Sequence, residues 1–452
     1  MMRARMMPDR GRGGYAPTAP GRTGRFPAPP LDLAEPTPAE RRLRAVPWEA
    51  LRGLGPALEA PLGEVLAGAV AERVLDRLLR ARRTLDAAGR AAVAEAVFGV
   101  GLWRRRLRHA LGDPDAPPRL LLAALIRDLG GRTDAEAAWL AALDPAGLPP
   151  SRPPPAGLAD RFSLPDWLAD EVRRAAGPEA PALAAALDLP GPVTLRANRA
   201  RLDRAALARR LAAEGVATRP GSLAPEALIV EGERPNVYGL EAFRAGLLEV
   251  QDEGSQLLGT ALGARPGEVV LDACAGAGGK ALLLAAEVGP AGRVHAADPD
   301  LARLARLRTR AVRAGVADAV VVEGPATPPG LEVDRALVDA PCSELGALRR
   351  GPDLRWRIDP AAFAALPPLQ EELLGRAARH VRPGGRLVYA TCTFREEEDE
   401  AVARAFERTH PGFVRVVPPV PPAALGPDGF LRTWPHRHGT DAFFAAAWDR
   451  RR

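Results

Sequence analysis

Scarce residues narrow the reading first. Among 452 residues there are three cysteines, Cys274, Cys342 and Cys392, with no C-x-x-C pair. So sparse and odd a set excludes a disulfide scaffold and the usual zinc spacings, and it fits a reducing cytoplasm. Six scattered histidines form no ligand cluster, so no metal is expected. Aromatics make up 5%, which argues against an aromatic-rich β-sandwich or a carbohydrate binder. No run of eighteen apolar residues occurs and the first fifty residues lack a signal-peptide core, so no membrane partner is expected. Lysine almost vanishes: of 62 basic residues only Lys280 is not arginine. Where composition pushes so hard toward arginine, a retained lysine points to a required role.

What remains is ordinary for a globular protein. The apolar fraction is 47%, enough for a sizeable core, and the length suggests two or three domains. The formal charge of +6 suits a polyanionic partner. Residues 1–50 are rich in Pro, Gly and Arg and read as a disordered basic lead. Residues 51–146 carry apolar positions at helical spacing, including Val93, Val97, Val100 and Trp103 before Arg104, Arg105 and Arg106. They predict an all-α domain whose arginines are either a solvated face or RNA contacts. A Pro-rich linker follows at 147–158, then a small α+β module at 159–246.

From residue 247 to 452 strands alternate with helices. Predicted strands end at Asp272, at Asp298, near Glu323, at Asp339 and at Thr391. That alternation implies an α/β, doubly wound sheet with ligands at the carboxyl ends of its strands. The first strand runs into Cys274, Ala275, Gly276, Ala277, Gly278, Gly279 and Lys280, which open a helix. Glycines there let backbone approach a ligand, and a helix N-terminus offers free N–H donors. Asp298, about twenty residues on, is placed to grip ribose hydroxyls. The glycine turn alone fits a dinucleotide site equally well. Cys342 and Cys392 both follow strand ends beside Asp339, which is more than buried structural cysteines require.

Together these segments resemble a known family. DACAGAGGK, VDRALVDAPCS followed by RRGPDLRW, YATCTFREEEDE, VQDEGSQL and HGTDAFFAAAW are similar to the motifs of RsmB/Nop/Sun-type RNA cytosine-5 methyltransferases, over roughly residues 165–449. The segment AEAVFGVGLWRRRL is similar to the NusB-like N-terminal domain of the RsmB branch. The resemblance implies a Rossmann-like class I methyltransferase domain, preceded by an RRM-like module and a NusB-like domain. It implies S-adenosylmethionine as cofactor, held by residues 274–280, Asp298 and Asp339. It makes Cys392 the nucleophile, Cys342 the cysteine that assists release, Asp339 the base-binding carboxylate and Lys280 a neighbour of substrate and cofactor. The partner implied is RNA, ribosomal before others, with its cytosine in a single strand or loop, bound by a monomer.

Four positions depart from the family pattern: Ala277 stands for Pro, Glu344 for a small residue, Arg310 for Asn, and Glu323-Gly324-Pro325 for the Gly-Asp that contacts adenine. Glu323 is a candidate substitute. Arg349, Arg350, Arg355 and Arg357, beside Trp356, are either RNA contacts or an arginine-rich surface. A non-catalytic RNA-binding assembly factor and a nicotinamide-dependent oxidoreductase remain as other readings, though the oxidoreductase leaves both cysteine motifs unexplained.

Overall fold

The computed structural model describes residues 35–452. Most of the lead expected to be disordered lies outside the described residues. Its end does not: Pro38–Arg44 is a helix, started by a Thr37 and Glu40 capping box, with Leu43 in the core. Thr37 and Glu40 satisfy two otherwise orphaned N–H groups, which is why this short segment holds as a helix.

Helices Gly55–Leu66, Ala71–Ala81, Ala87–Leu111, Pro118–Ala124 and Asp134–Leu140 build the N-terminal unit. Asp86 caps the long one at its start, and Gly112, in the left-handed conformation, ends it. Val93, Val97, Val100, Trp103 and Leu107 form its buried stripe, packed with Trp48, Leu62, Leu122 and Ile126. The spacing of that stripe is the helical period the sequence displays.

The small module is a four-stranded sheet: β1 (Thr194–Ala197), β2 (Thr218–Pro220), β3 (Ala227–Val230) and β4 (Leu248–Val250), all antiparallel in the order 2-3-1-4. A helix, Arg204–Ala213, crosses between β1 and β2, giving the split βαβ arrangement. Helices Asp166–Ala176 and Ala180–Leu187 lie before β1 in sequence but share a different core. Leu168, Val172, Leu183 and Leu187 pack with Leu345, Leu348, Phe363 and Phe394 from loops of the large sheet.

That large sheet contains β5 (Val269–Asp272), β6 (Arg293–Ala297), β7 (Val320–Gly324), β8 (Val333–Asp339), β9 (Val381–Thr391), β10 (Phe413–Val416), β11 (Leu431–Thr433) and β12 (Phe443–Arg450). Its order is 10-12-9-8-5-6-7, with β11 also on β12. β5 through β9 are parallel, as the βαβ grammar predicts. β12 is antiparallel to β9, and β10 and β11 are antiparallel to β12. β5 has β6 on one side and β8 on the other, so connections leave it in opposite directions and a crevice opens at its carboxyl end.

Candidate active site

The crevice begins where β5 ends. Gly276 and Gly278 have φ of +54° and +88°. A Cβ on Gly278 would lie 2.1 Å from Leu307, so packing alone demands glycine there. At Gly276 a Cβ would meet nothing within 4 Å: this glycine faces open space, as a backbone that a ligand approaches must. The loop is tied down from behind. Asp298 accepts the N–H of Gly276 at 2.8 Å and that of Asp300 at 2.8 Å. Arg310, where the family pattern has Asn, donates to the Ala277 carbonyl at 2.6 Å and to Glu249 at 2.9 Å. Sequence reasoning gave Arg310 only as a departure, yet it props the loop. Asp298 is 6% exposed, and both of its oxygens hold loop backbone.

Beside the loop lies a cleft of about 680 Å³ walled by Ala273, Ala297, Pro325, Thr327, Leu331 and Leu373. Small apolar walls at the ends of β5, β6 and β7 fit the flat purine of S-adenosylmethionine. Glu323 does not serve it: its carboxylate bonds the ring of His295 on β6. Of the expected adenine contact, Pro325 and Thr327 are what the cleft presents.

Three charges converge at the floor. Lys280 Nζ donates to Asp339 Oδ2 at 2.5 Å. Burial pulls the ammonium down, but Asp339 and then Asp272 outweigh it and raise its pKa. Asp272 is 1% exposed, and neither oxygen meets a partner at hydrogen-bonding geometry, the nearby N–H of Cys274 included. Burial, then repulsion from Asp339, push its pKa up to about 7. Cys274 is driven up as well, by burial and the same carboxylates, so its thiol is inert and its backbone is what the loop contributes.

Cys342 and Cys392 follow the adjacent strands β8 and β9, which puts their sulfurs 3.4 Å apart. The N–H of Cys392 points at the Cys342 sulfur, also at 3.4 Å. Hydrogen bonding to Cys392 raises the Cys342 pKa first, burial adds to it, and the charge of Glu398 contributes. Cys342 therefore stays a thiol. Lys280 lies close enough to feel charge on Cys392. Backbone bonds fix the surrounding segments: Gly346 donates to the Cys392 carbonyl and Ala442 to the Gly346 carbonyl, each at 3.0 Å. Glu344 takes φ of +58°, a left-handed conformation that costs a non-glycine residue roughly 1 kcal/mol.

The arginines of the segment after Cys342 all have acidic partners, with Arg349 and Arg355 buried and Arg350 and Arg357 exposed. Arg349 is 6% exposed and bonds Asp441 at 2.7 Å; Arg350 bonds Asp441, Asp252 and the Pro192 carbonyl. Arg355 is fully buried against Asp188 at 2.8 Å, and Arg357 pairs with Asp353. Trp356 lies under the guanidinium of Arg104, 4.7 Å from the ring centroid. The basic run of the N-terminal unit is spent in the same way. Arg105 bonds Asp160 at 2.5 Å and Asp166 at 2.7 Å, and Arg106 bonds Glu40. Arg104, Arg105, Arg350 and Arg355 join units of the molecule, while Arg106, Arg349 and Arg357 are paired within one.

Comparison with known proteins agrees with this geometry. Residues 259–449 match the family described as 16S rRNA methyltransferase RsmB/F, and residues 164–236 match the RsmF/B-like ferredoxin-like domain. A protein of Synechocystis sp. named probable ribosomal RNA small subunit methyltransferase B is 36% identical over 300 residues, covering 64% of this chain and 67% of the relative. A Bacillus subtilis protein of the same name is 36% identical over 301 residues, covering 64% and 66%. The alignments thus span about two thirds of the length of these relatives. The solved structure of PH0851 superimposes with a TM-score of 0.71 at 25% identity, over 90% of this chain and 99% of that one.

Proposed function

The chain belongs to the 16S rRNA methyltransferase RsmB/F family, and from that premise we propose that it methylates carbon-5 of a cytosine in small-subunit ribosomal RNA through a covalent adduct with Cys392. The observation that carries this reading is the pair of sulfurs 3.4 Å apart at the ends of adjacent strands, beside the Lys280–Asp339 ion pair. Bound S-adenosylmethionine supplies an electrophilic methyl group. The loop 274–279, with Asp298 behind it, and the cleft beside Pro325 hold it.

Carbon-5 of cytosine is a weak nucleophile. The Cys392 thiolate adds to carbon-6 and makes carbon-5 enamine-like. Asp339 hydrogen-bonds the ring nitrogen and exocyclic amine, holding the base and favouring the adduct. Lys280 keeps Asp339 placed. Once carbon-5 carries the methyl group, its proton passes to a water molecule acting as base. The electron pair of that bond forms the carbon-5–carbon-6 double bond, and the carbon-6–sulfur bond breaks with its pair on Cys392. Cys342, a thiol in contact with that sulfur, assists this release. The target cytosine lies in a single strand or loop, because a stacked base cannot reach the crevice floor. The protein acts in the cytoplasm as a monomer.

Ribonucleoside mass spectrometry of small-subunit RNA from cells with and without the gene tests the reading. Loss of one 5-methylcytosine is the expected result. Unchanged 5-methylcytosine in every ribosomal RNA would overturn it.

A further inference from the structure

The turn that carries Cys342 is gripped by two side chains that the chemistry above does not use. Gln370, in the helix Leu366–His380, donates its amide to the Pro341 carbonyl at 2.9 Å and to Glu398 Oε2 at 3.0 Å. The same oxygen accepts the N–H of Ser343 at 2.9 Å. The other carboxylate oxygen faces Arg395 at 3.4 Å, and the Glu398 carbonyl accepts the Tyr389 hydroxyl at 2.5 Å. Gln370 and Glu398 are both fully buried.

Burying a carboxylate carries a large desolvation cost unless its hydrogen bonds are made good. Here the carboxylate accepts the N–H of the residue after Cys342 and the amide of Gln370, and that amide in turn holds the carbonyl of the residue before Cys342. A further bond, Ser343 Oγ with Thr393 Oγ1 at 2.8 Å, ties the same turn to the residue after Cys392. The sulfur separation is thus fixed by a frame around the turn.

We infer that Glu398 and Gln370 are positioning residues for Cys342: they hold its thiol against Cys392 and thereby set the rate at which the covalent RNA adduct is resolved. This rests on the covalent reading proposed above. The charge of Glu398, after the bond to Cys392 and burial, adds to keeping the proton on Cys342.

The test uses the full chain, transcribed 16S ribosomal RNA and S-adenosylmethionine. Methyl transfer in the first turnover is followed by radiolabel, and the adduct by denaturing gel. Cys342→Ala is the reference that accumulates adduct. Glu398→Ala and Gln370→Leu should transfer methyl at near the parent rate yet resolve the adduct about tenfold or more slowly, since small misplacements near reacting groups cost this much. Glu398→Gln keeps an acceptor oxygen for Ser343 and Gln370, so it should resolve the adduct close to the parent rate. If Glu398→Ala does not fold, the contrast between Gln370→Leu and Glu398→Gln decides alone. Adduct persisting in Cys342→Ala but resolving normally in both Glu398→Ala and Gln370→Leu would sink the positioning role and leave the covalent reading intact. So would equal losses of transfer and resolution in those two variants. No adduct in Cys342→Ala would overturn the release role itself, and the inference with it.

Discussion

The seams between units and the crevice use charge in opposite ways. At the seams each arginine has its counter-ion: Arg355 with Asp188, Arg350 with Asp252, Arg105 with Asp160. Each cation faces a carboxylate and acts as a rivet, although Asp188 Oδ2 and Arg355 Nε meet no partner of their own. In the crevice one lysine faces Asp339 and Asp272, and Asp272 is left with two orphaned oxygens. A seam that needs only cohesion pairs each charge with its opposite. A site that must bind and release leaves some unmatched, and the cost is borne by the rest of the structure.

The largest effect separates chemistry from cohesion altogether. Cys392→Ala should abolish methylation and leave no gel-stable RNA adduct, with the melting temperature unchanged. Residual turnover near the parent level would remove Cys392 from the reaction. Breaking a seam should do the reverse. Arg355→Leu leaves Asp188 buried and uncompensated, and should cost about 3–5 kcal/mol in urea unfolding. Adding Asp188→Leu should recover most of that loss. No recovery would mean the pair is not the source of the loss.

The crevice should answer a charge deletion with the opposite sign. Asp272 has a raised folded pKa of about 7. It therefore stabilises the fold below its unfolded pKa, near 4, and that contribution is lost as pH rises through about 7. Asp272→Asn should be more stable than the parent at pH 8, by on the order of 2–4 kcal/mol, with no gain at pH 3. Weaker S-adenosylmethionine binding by calorimetry should accompany the gain. Destabilisation at pH 8 would show that the carboxylate is matched after all. The smallest effect belongs to a pair in neither class: Arg80 and Asp76 sit on an exposed helix face, so Arg80→Ala should stay within about 0.5 kcal/mol.

The sequence discloses local features and hides distant ones. Strand ends at Asp272, Asp339 and Thr391 are legible because apolar runs stop there, with glycine or proline soon after the first two and a charged run after the third. The crevice follows from the order of strands and helices alone. Strands β10 to β12 escape that reading because they add antiparallel edges after the βαβ units end, and β10 is only half-buried. The fate of the arginines is hidden for another reason. Arg355 meets a partner 167 positions away and Arg349 one 92 positions away, so composition displays the cations without their acceptors. Glu398 sits in a charged run, Arg395–Glu400, that reads as solvated, yet it is fully buried. The signal that would find it is a carboxylate six residues past Cys392, on a segment that must turn back against the sheet.

The lone lysine has a practical corollary. A chain with one side-chain amine carries its own reporter. Reagents that acylate amines have two targets here, the chain's α-amino group and Lys280, and Lys280 is shielded by its bond to Asp339. The yield of modified Lys280 therefore gauges how often that bond opens, without any label being engineered. Tracked by mass spectrometry as cofactor and RNA are added in turn, that one amine can report the order in which the crevice fills.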